Sequence, residues 1–256
     1  MIPLVVVGAA GRMGRAILET AAGDVGFHVK GGVDAVGAPA WAARTPWERD
    51  LGALLEVGDV VIEFSSAAGA AAAARLCSER RAALVSGTTG LSAAQEEAVR
   101  TAAERVAVLR SANFSLGVLA LRNALRVLLS SLPGWDVEIV ERHHRAKKDS
   151  PSGTALALAG DVMTARRLPA SSLRHGREGS AGPRPESEIG VHAMRGGSWV
   201  GEHAVLLAGE GEWVELRHVA QDRTALARGA LAAAGFVAKA PSGFYTLEAV
   251  LNHSSP

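Results

Sequence analysis

The segment at residues 141–154 concentrates the side chains that are best suited to acid–base chemistry. It reads Glu-Arg-His-His-Arg-Ala-Lys-Lys-Asp-Ser-Pro-Ser-Gly-Thr and places two histidines and four cationic side chains within seven positions. The whole chain carries 27 Lys and Arg against 26 Asp and Glu, so this positive charge is local. A local cationic field beside an imidazole suits a small anion with several charges. We therefore predict an active site here.

Two side chains of this segment are the main candidates for chemistry. We expect His143 to move protons, because an imidazole that titrates near neutrality is an efficient acid and base. Lys147 would meet a carboxylate and stabilise developing charge, and His144 is a further candidate. Adjacent imidazoles without converging Cys, Asp or Glu side chains make a poor zinc site, so we predict no metal. The other cations and histidines are expected to be solvated or structural: Arg142, Arg145, Lys148, His175, His192, His203 and His218.

The elements around this segment are predicted to position it. A strand over residues 135–140 would deliver the histidines at its end, and a helix would follow through Met163. Ser150 is the predicted N-cap of that helix, with Pro151 in its first turn. Amide groups at the helix start, including those of Gly153 and Thr154, would face a bound anion. The segment thus predicts a small substrate with two carboxylates.

A glycine-rich turn at residues 8–14 predicts a dinucleotide site. It reads Gly-Ala-Ala-Gly-Arg-Met-Gly, follows an apolar segment and opens a helix, with Ala10 where the commonest fingerprint has its second glycine. Asp34 ends the predicted second strand and can accept hydrogen bonds from ribose hydroxyls, although a surface aspartate in a turn is the alternative. No arginine follows Asp34, which favours NADH over NADPH. Arg12 could still reach a 2′-phosphate.

Two later turns fall at the carboxyl ends of predicted strands, where open parallel sheets bind ligands. They follow the strands predicted at residues 83–86 and 106–110, and we expect them to contact the nicotinamide end of the cofactor. The predicted cofactor-binding residues are Gly8, Ala9, Ala10, Gly11, Arg12, Met13, Asp34, Gly87, Thr88, Thr89, Ser111, Ala112, Asn113 and Phe114.

The order of the predicted elements indicates two domains with different sheets. In the first half, short apolar strands alternate with alanine-rich helices, which predicts a Rossmann-like α/β domain with a parallel sheet. In the second half, strands at residues 189–195, 200–208 and 213–219 predict a smaller α+β domain with a mixed or antiparallel sheet. We predict a dinucleotide-binding domain at residues 1–114 and 221–256 and a substrate-binding domain at residues 115–220.

Other local patterns predict helices and one long loop. A capping box of Ser92 and Gln95 marks one helix start. Residues 171–187, rich in Gly, Pro, Ser and Arg, are expected to form an exposed loop. The predicted helices lie at residues 67–81, 92–104, 115–132 and 223–239.

Length and composition exclude several classes of protein. A chain of 256 residues with 48% hydrophobic content can bury a sizeable core. No apolar segment approaches the roughly 20 residues that span a bilayer, and the N-terminal residues lack the features of a signal peptide. Cys77 is the only cysteine, so we expect a buried, inert thiol. With nearly zero net charge, these features favour a cytoplasmic location without a membrane or nucleic-acid partner.

These motifs resemble those of the 4-hydroxy-tetrahydrodipicolinate reductase (dihydrodipicolinate reductase) family of bacterial lysine biosynthesis. The resemblance covers nearly the whole chain and rests on residues 141–154 above all, then on residues 8–15, 86–90, 112–114, 195–203 and 243–245. Glu63 departs from the family, in which many members have aspartate, and residues 35–50 match no family motif.

The resemblance implies an NAD(P)H-dependent reductase that forms a homotetramer through its C-terminal sheets. It implies that His143 is the catalytic proton donor and acceptor and that Lys147 is a second proton donor. It also implies that His144, Gly153 and Thr154 bind the substrate. The cofactor-binding residues named above match the family's motifs.

Two other functions remain open from the sequence. One is a related amino-acid dehydrogenase of similar architecture, such as an aspartate dehydrogenase, although the paired imidazoles and the Ser-Gly-Thr helix start argue against it. The other is a nicotinamide-binding redox sensor without turnover. Such a sensor would keep the glycine turn but would have no need of His143 or Lys147.

Overall fold

The computed structural model describes residues 1–252, and the chain divides into two compact units. The first unit contains Met1–Leu116 and the residues from Arg223 onward, and the second contains Gly117–Asp222. Each unit has its own sheet. Within the described residues, no helix is long and apolar enough to cross a membrane.

The described part of the chain alternates strands and helices through most of its length. In chain order the strands are β1 (Ile2–Val7), β2 (Phe27–Val33), β3 (Trp47–Glu48), β4 (Val60–Glu63), β5 (Ala83–Ser86), β6 (Ala107–Arg110), β7 (Asp136–His143), β8 (Leu173–Arg174), β9 (Ile189–Arg195), β10 (Gly201–Ala208), β11 (Trp213–Ala220) and β12 (Gly243–Tyr245). The α-helices are α1 (Arg12–Ala22), α2 (Ala67–Arg80), α3 (Ala93–Ala102), α4 (Leu116–Ser131), α5 (Gly153–Arg166), α6 (Thr224–Val237) and α7 (Glu248–Asn252). Single 3₁₀ turns lie at Ala40–Ala42, Leu51–Ala53 and Ala170–Ser172.

The first unit is built on a parallel sheet of seven strands in the order β12-β6-β5-β4-β1-β2-β3. Its central strands are apolar along most of their length because helices cover both faces of such a sheet. Val5, Val61 and Leu84 have no exposed surface, and Cys77 of α2 packs in the same core. Burial raises the pKa of the Cys77 thiol, as expected for an inert cysteine. The predicted parallel, Rossmann-like sheet is confirmed.

The second unit has a mixed sheet of five strands in the order β11-β10-β7-β9-β8. Strand β10 runs antiparallel to β7 and β11, whereas β9 runs parallel to β7 and β8. One face packs on α4 and α5 through fully buried side chains such as Ile139, Leu125 and Leu158. The predicted mixed sheet is therefore confirmed.

Most predicted helices and strands are present with small shifts at their ends, and Ser92 and Gln95 form the expected capping box. The loop predicted at residues 171–187 is wrong in one part. It contains β8, whose Leu173 and Arg174 pair with the first residues of β9. A pairing between segments so far apart in sequence leaves no signal in the local composition.

Two predictions next to the histidines are also wrong. Strand β7 does not end at residue 140 but continues through His143, because Val137–His143 pairs with β9. The N-cap of α5 is Ser152 and not Ser150, since the Ser152 hydroxyl accepts a hydrogen bond from the Ala155 amide at 3.1 Å. The helix then continues past Met163 to Arg166.

Candidate functional site

A buried carboxylate organises the predicted catalytic segment. Glu141 and His143 are separated by one residue on β7, so they lie on the same face of the strand. His143 Nδ1 is 2.6 Å from Glu141 Oε2, and Glu141 has no exposed surface. A neutral His143 ring carries its proton on Nδ1, where the carboxylate accepts it. Nε2 is then the basic atom of the ring.

Arg195 holds the same carboxylate from β9. Its guanidinium donates to both oxygens of Glu141 at 2.7 and 2.8 Å, and it also donates to the Asp149 carbonyl at 2.7 Å. The Ser152 amide adds a bond to Glu141 Oε1 at 3.0 Å. Burial raises the pKa of Glu141, but hydrogen bonds from Arg195, His143 and Ser152 lower it further than burial raises it. The carboxylate is therefore ionised at neutral pH.

His203 of β10 lies against this group, which corrects the expectation that it would have no special setting. It is 4% exposed, its Nε2 is 2.9 Å from the Ser152 hydroxyl, and its ring stands edge-to-face to His143 with centroids 5.2 Å apart. Burial first, and then the neighbouring His143, lower the pKa of His203 to about 4. His203 is therefore uncharged at physiological pH. Its ring packs against that of His143 without adding charge to the site.

Lys147 lies on the loop between β7 and α5. Its ammonium is 2.9 Å from Asp149 Oδ2, and its amide donates to the His144 carbonyl at 3.1 Å. His144 is half-buried, while Gly153 and Thr154 form the first turn of α5. The loop between β7 and α5 and the first turn of α5 therefore carry an ammonium, an imidazole and a helix start. These groups can bind carboxylates and transfer protons.

The glycine turn of the first unit has the geometry that a dinucleotide requires. Gly8 has φ of +77°, and a Cβ there would lie 2.2 Å from the Phe64 carbonyl oxygen. A Cβ at Gly14 would lie 2.3 Å from the Gly8 oxygen, so both positions admit only glycine. Gly11 is the N-cap of α1, and its lack of a side chain leaves the first-turn amides, including those of Arg12 and Met13, for a pyrophosphate. The turn fits the cofactor.

Asp34 stands beside this turn at the end of β2. Its Oδ2 accepts a hydrogen bond from the Ala10 amide at 3.0 Å, and its Oδ1 accepts one from the Val36 amide at 3.2 Å. Each oxygen keeps a lone pair for a ribose hydroxyl. A cleft of about 450 Å³ opens here, lined by Val7, Gly8, Gly11, Val33, Asp34, Ala35, Arg49, Phe64, Ser65, Ser66 and Gly69.

A second buried carboxylate fixes the neighbouring turn. Glu63 at the end of β4 is fully buried and accepts hydrogen bonds from the hydroxyls of Ser65, Ser86 and Thr88 at 2.6, 3.0 and 2.6 Å. Arg110 donates to the Thr88 carbonyl at 2.7 Å from the other side. The turn that contains Gly87 and Thr89 is therefore held in place before any ligand binds. The Thr88 hydroxyl, by donating to Glu63, helps to hold this turn.

The last predicted cofactor segment, residues 111–114, is also held by internal bonds. The Ser111 hydroxyl donates to the Asn113 carbonyl at 2.6 Å, and the Ser115 amide donates to Asn113 Oδ1 at 2.8 Å. Phe114 is 1% exposed and packs edge-to-face on Phe64. Its contact with a nicotinamide ring stays a prediction.

Several residues of the site were missed in the sequence. Glu141 lies two positions before His143, so the alternation of side chains along a strand places both on the same face. The sequence predicts this only when β7 is extended to residue 143. Arg195 and His203 come from distant strands and carry no local signal, although their segment resembles the family. Only the backbone conformation shows that Ser152, and not Ser150, is the N-cap of α5. Within residues 1–252, no group of three or more His, Cys, Asp and Glu side chains could hold a metal ion.

Comparison with known families matches both units. Residues 2–114 match the model described as dihydrodipicolinate reductase, N-terminus, and residues 117–251 match the one described as dihydrodipicolinate reductase, C-terminus. The chain belongs to the dihydrodipicolinate reductase family. Membership in this family makes it an oxidoreductase with a nicotinamide cofactor.

Individual relatives support this family assignment. The 4-hydroxy-tetrahydrodipicolinate reductase of Anaeromyxobacter sp. (strain Fw109-5) is 44% identical over 263 residues, which cover 98% of each chain. That of Thermomicrobium roseum is 43% identical over 257 residues, covering 97% of this chain and 98% of the relative. A solved dipicolinate-bound dihydrodipicolinate reductase from Paenisporosarcina sp. TG-14 has a TM-score of 0.79 at 22% identity, covering 96% and 97% of the two chains. This last likeness concerns the fold alone.

The low pKa of His203 predicts a pH-dependent stability. Its pKa is about 4 in the folded chain against an ordinary value of 6.5, so the unfolded chain binds the proton first. The free energy of unfolding therefore falls as the pH is lowered from about 6.5 to about 4. His218, whose pKa burial also lowers, acts in the same direction. Glu138 and Glu141, with lowered pKa values, lose their stabilisation at lower pH.

Urea unfolding midpoints measured from pH 4 to pH 7 test this. The variant His203→Gln should show a flatter profile than the wild type, whereas replacement of the exposed His175 by Gln should leave the profile unchanged. Equal slopes for His203→Gln and the wild type would contradict the prediction.

Proposed function

We propose that this chain reduces 4-hydroxy-tetrahydrodipicolinate to tetrahydrodipicolinate with loss of water, using NAD(P)H, in diaminopimelate and lysine biosynthesis. The observation that carries the proposal is the His143 ring, held by the buried Glu141 in a segment that also supplies Lys147. Relatives of about this length, 44% and 43% identical, bear the name of this reductase. The solved neighbour binds dipicolinate, which is a dicarboxylate.

The residues of the second unit have separate parts in this reaction. One substrate carboxylate binds at the start of α5, on Gly153 and Thr154, and the other meets Lys147 and His144. The Lys147 ammonium leaves Asp149 to do so; their ion pair is exposed on the Asp149 side and so holds the ammonium weakly.

Proton transfer follows from the position of the His143 ring. When bound, the nicotinamide cofactor would supply the hydride that reduces C4 of the conjugated imine formed by loss of water. The enamine that results needs a proton at the neighbouring carbon. His143 delivers this proton from Nε2, while Glu141 stabilises the charged ring that donates it. Lys147 offsets developing negative charge and serves as the second proton donor.

The cofactor binds along the carboxyl edge of the parallel sheet. The first-turn amides of α1 hold the pyrophosphate, Asp34 binds the adenosine ribose, and the turns at residues 87–89 and 111–114 flank the nicotinamide end. NADH is the preferred cofactor, because a 2′-phosphate would meet the negative charge of Asp34.

The rival functions have less support. The paired imidazoles of His143 and His144 and the Ser-Gly-Thr helix start argue against an aspartate dehydrogenase-like enzyme of similar architecture. A redox sensor would not need a histidine and a carboxylate paired in a buried site. A cytoplasmic location, without membrane or nucleic-acid partners, stays a prediction.

The open face of the second sheet supports a homotetramer. The face opposite α4 and α5 carries apolar side chains that are largely exposed, namely Trp213 at 60%, Val219 at 51% and Met194 at 42%. Leu206 and Val140 lie on the same face and are half-buried. Exposed apolar side chains gathered on one face of a sheet favour an interface with another chain. We propose that four chains assemble through these sheets.

Activity measurements test the reaction. NADH and NADPH oxidation is followed while a dihydrodipicolinate synthase supplies the substrate. His143→Ala should lower kcat by roughly 10²–10⁴-fold through loss of the acid–base group, and Lys147→Ala should lower kcat/KM. Lys148→Ala is the matched control and should remain near the wild type. Near wild-type rates for both His143→Ala and Lys147→Ala would reject the mechanism.

Sedimentation tests the assembly. The wild type should sediment with the mass of four chains, and Trp213→Glu should shift it to a smaller species because a charge would be buried in the interface. A wild-type mass of one chain would refute the tetramer.

A further inference from the structure

The segment after β2 returns to the cofactor cleft, although residues 35–50 match no family motif. Strand β3 pairs with the end of β2, so that Trp47 lies opposite Gly32 and Glu48 opposite Val33. The Asp34 amide donates to the Glu48 carbonyl at 3.2 Å. This pairing fixes where the next residue, Arg49, must lie.

Arg49 lines the same cleft as Gly8, Gly11 and Asp34. Its side chain is exposed, and among the described residues it forms no ion pair and no side-chain hydrogen bond. It does not pair with Asp34, whose oxygens accept the amides of Ala10 and Val36. By contrast, Arg15 nearby is paired with Glu19. At the adenosine end, the cleft therefore contains one acceptor group, the Asp34 carboxylate, and the Arg49 guanidinium, which has no partner among the described residues.

We propose that Arg49 binds the 2′-phosphate of NADPH, so that this chain accepts NADPH beside NADH. The assignment rests on the proposed cofactor site and adds to it the residue that determines cofactor specificity. A guanidinium presents parallel N–H donors that match a phosphate, and its charge offsets the repulsion from Asp34. When NADH is bound, Asp34 accepts hydrogen bonds from the free ribose hydroxyls. When NADPH is bound, Arg49 binds its 2′-phosphate. The arginine that is missing next to Asp34 in the sequence is supplied fifteen positions later.

Arg12 is the other cation near the turn, but its place points to a different part of the cofactor. It begins α1, whose first turn faces the pyrophosphate, and it is not among the residues that line the cleft. The pyrophosphate is common to NADH and NADPH. Loss of Arg12 should therefore weaken both cofactors alike.

Equilibrium binding tests the proposal without turnover. NADPH and NADH are titrated by nicotinamide fluorescence, and adenosine 2′,5′-bisphosphate and AMP by calorimetry. Arg49→Gln should weaken NADPH and the bisphosphate by roughly tenfold, as expected for one lost charge-assisted phosphate contact, and NADH and AMP by less than about twofold. Arg44→Gln, an exposed arginine of the same segment outside the cleft, is the matched control and should change neither.

Salt dependence provides a second readout. In the wild type, NADPH affinity should fall more steeply with ionic strength than NADH affinity, because the partly exposed phosphate contact is screened. Arg49→Gln should remove most of this difference, and Arg49→Lys should retain part of it.

Three results would overturn the assignment. The first is that Arg49→Gln changes the affinity of no ligand, and the second is that it weakens NADH and NADPH equally. The third is that Arg12→Gln, and not Arg49→Gln, removes the difference in affinity between NADPH and NADH. If the wild type binds neither dinucleotide, the proposed cofactor site itself is refuted. If both bind but no reductase activity is found, the reaction fails while the role of Arg49 is still decided by the titrations.

Discussion

The ion pair between the buried Glu141 and the half-buried Arg195 is the interaction on which the second unit's chemistry depends. An ionised carboxylate without exposed surface is costly unless charge and hydrogen bonds compensate for its lost hydration. Here Arg195 binds both oxygens, and His143 and the Ser152 amide take the remaining positions. One carboxylate thereby orients the imidazole, ties the start of α5 to β7 and, through the Arg195 bond to the Asp149 carbonyl, anchors the loop that carries Lys147.

The first unit uses the same device for a different ligand. Glu63 is buried at the carboxyl end of β4 and collects three hydroxyl groups from the turns around it. In both units, a buried carboxylate near the end of a strand holds a turn in place through hydrogen bonds. The outer surface of that turn is then the part available to a ligand. Preorganisation of this kind means that little ordering remains to be done when the substrate or cofactor binds.

The sequence predicted what local patterns encode. Apolar runs and alanine-rich segments gave the parallel sheet, the glycine turn marked the start of α1, and the charged segment marked the site of His143 and Lys147. Contacts between distant strands were not predictable in this way: β8 forms only because β9 lies beside it, and Arg195 and His203 reach the site only through strand pairing. Arg49 is a similar case, because it comes to line the cleft of Asp34 through the pairing of β3 with β2.

A double-mutant cycle in kcat/KM between Glu141 and His143 tests most directly whether the carboxylate acts through the imidazole. Glu141→Gln, His143→Ala and the double variant are compared with the wild type in the synthase-coupled assay. If Glu141 works mainly by orienting and charging the ring, Glu141→Gln should cost far less in the His143→Ala background than in the wild type, because only its hold on α5 and on the Lys147 loop then remains to be lost. Equal losses from Glu141→Gln in both backgrounds would show that Glu141 acts independently of His143 and would contradict this account.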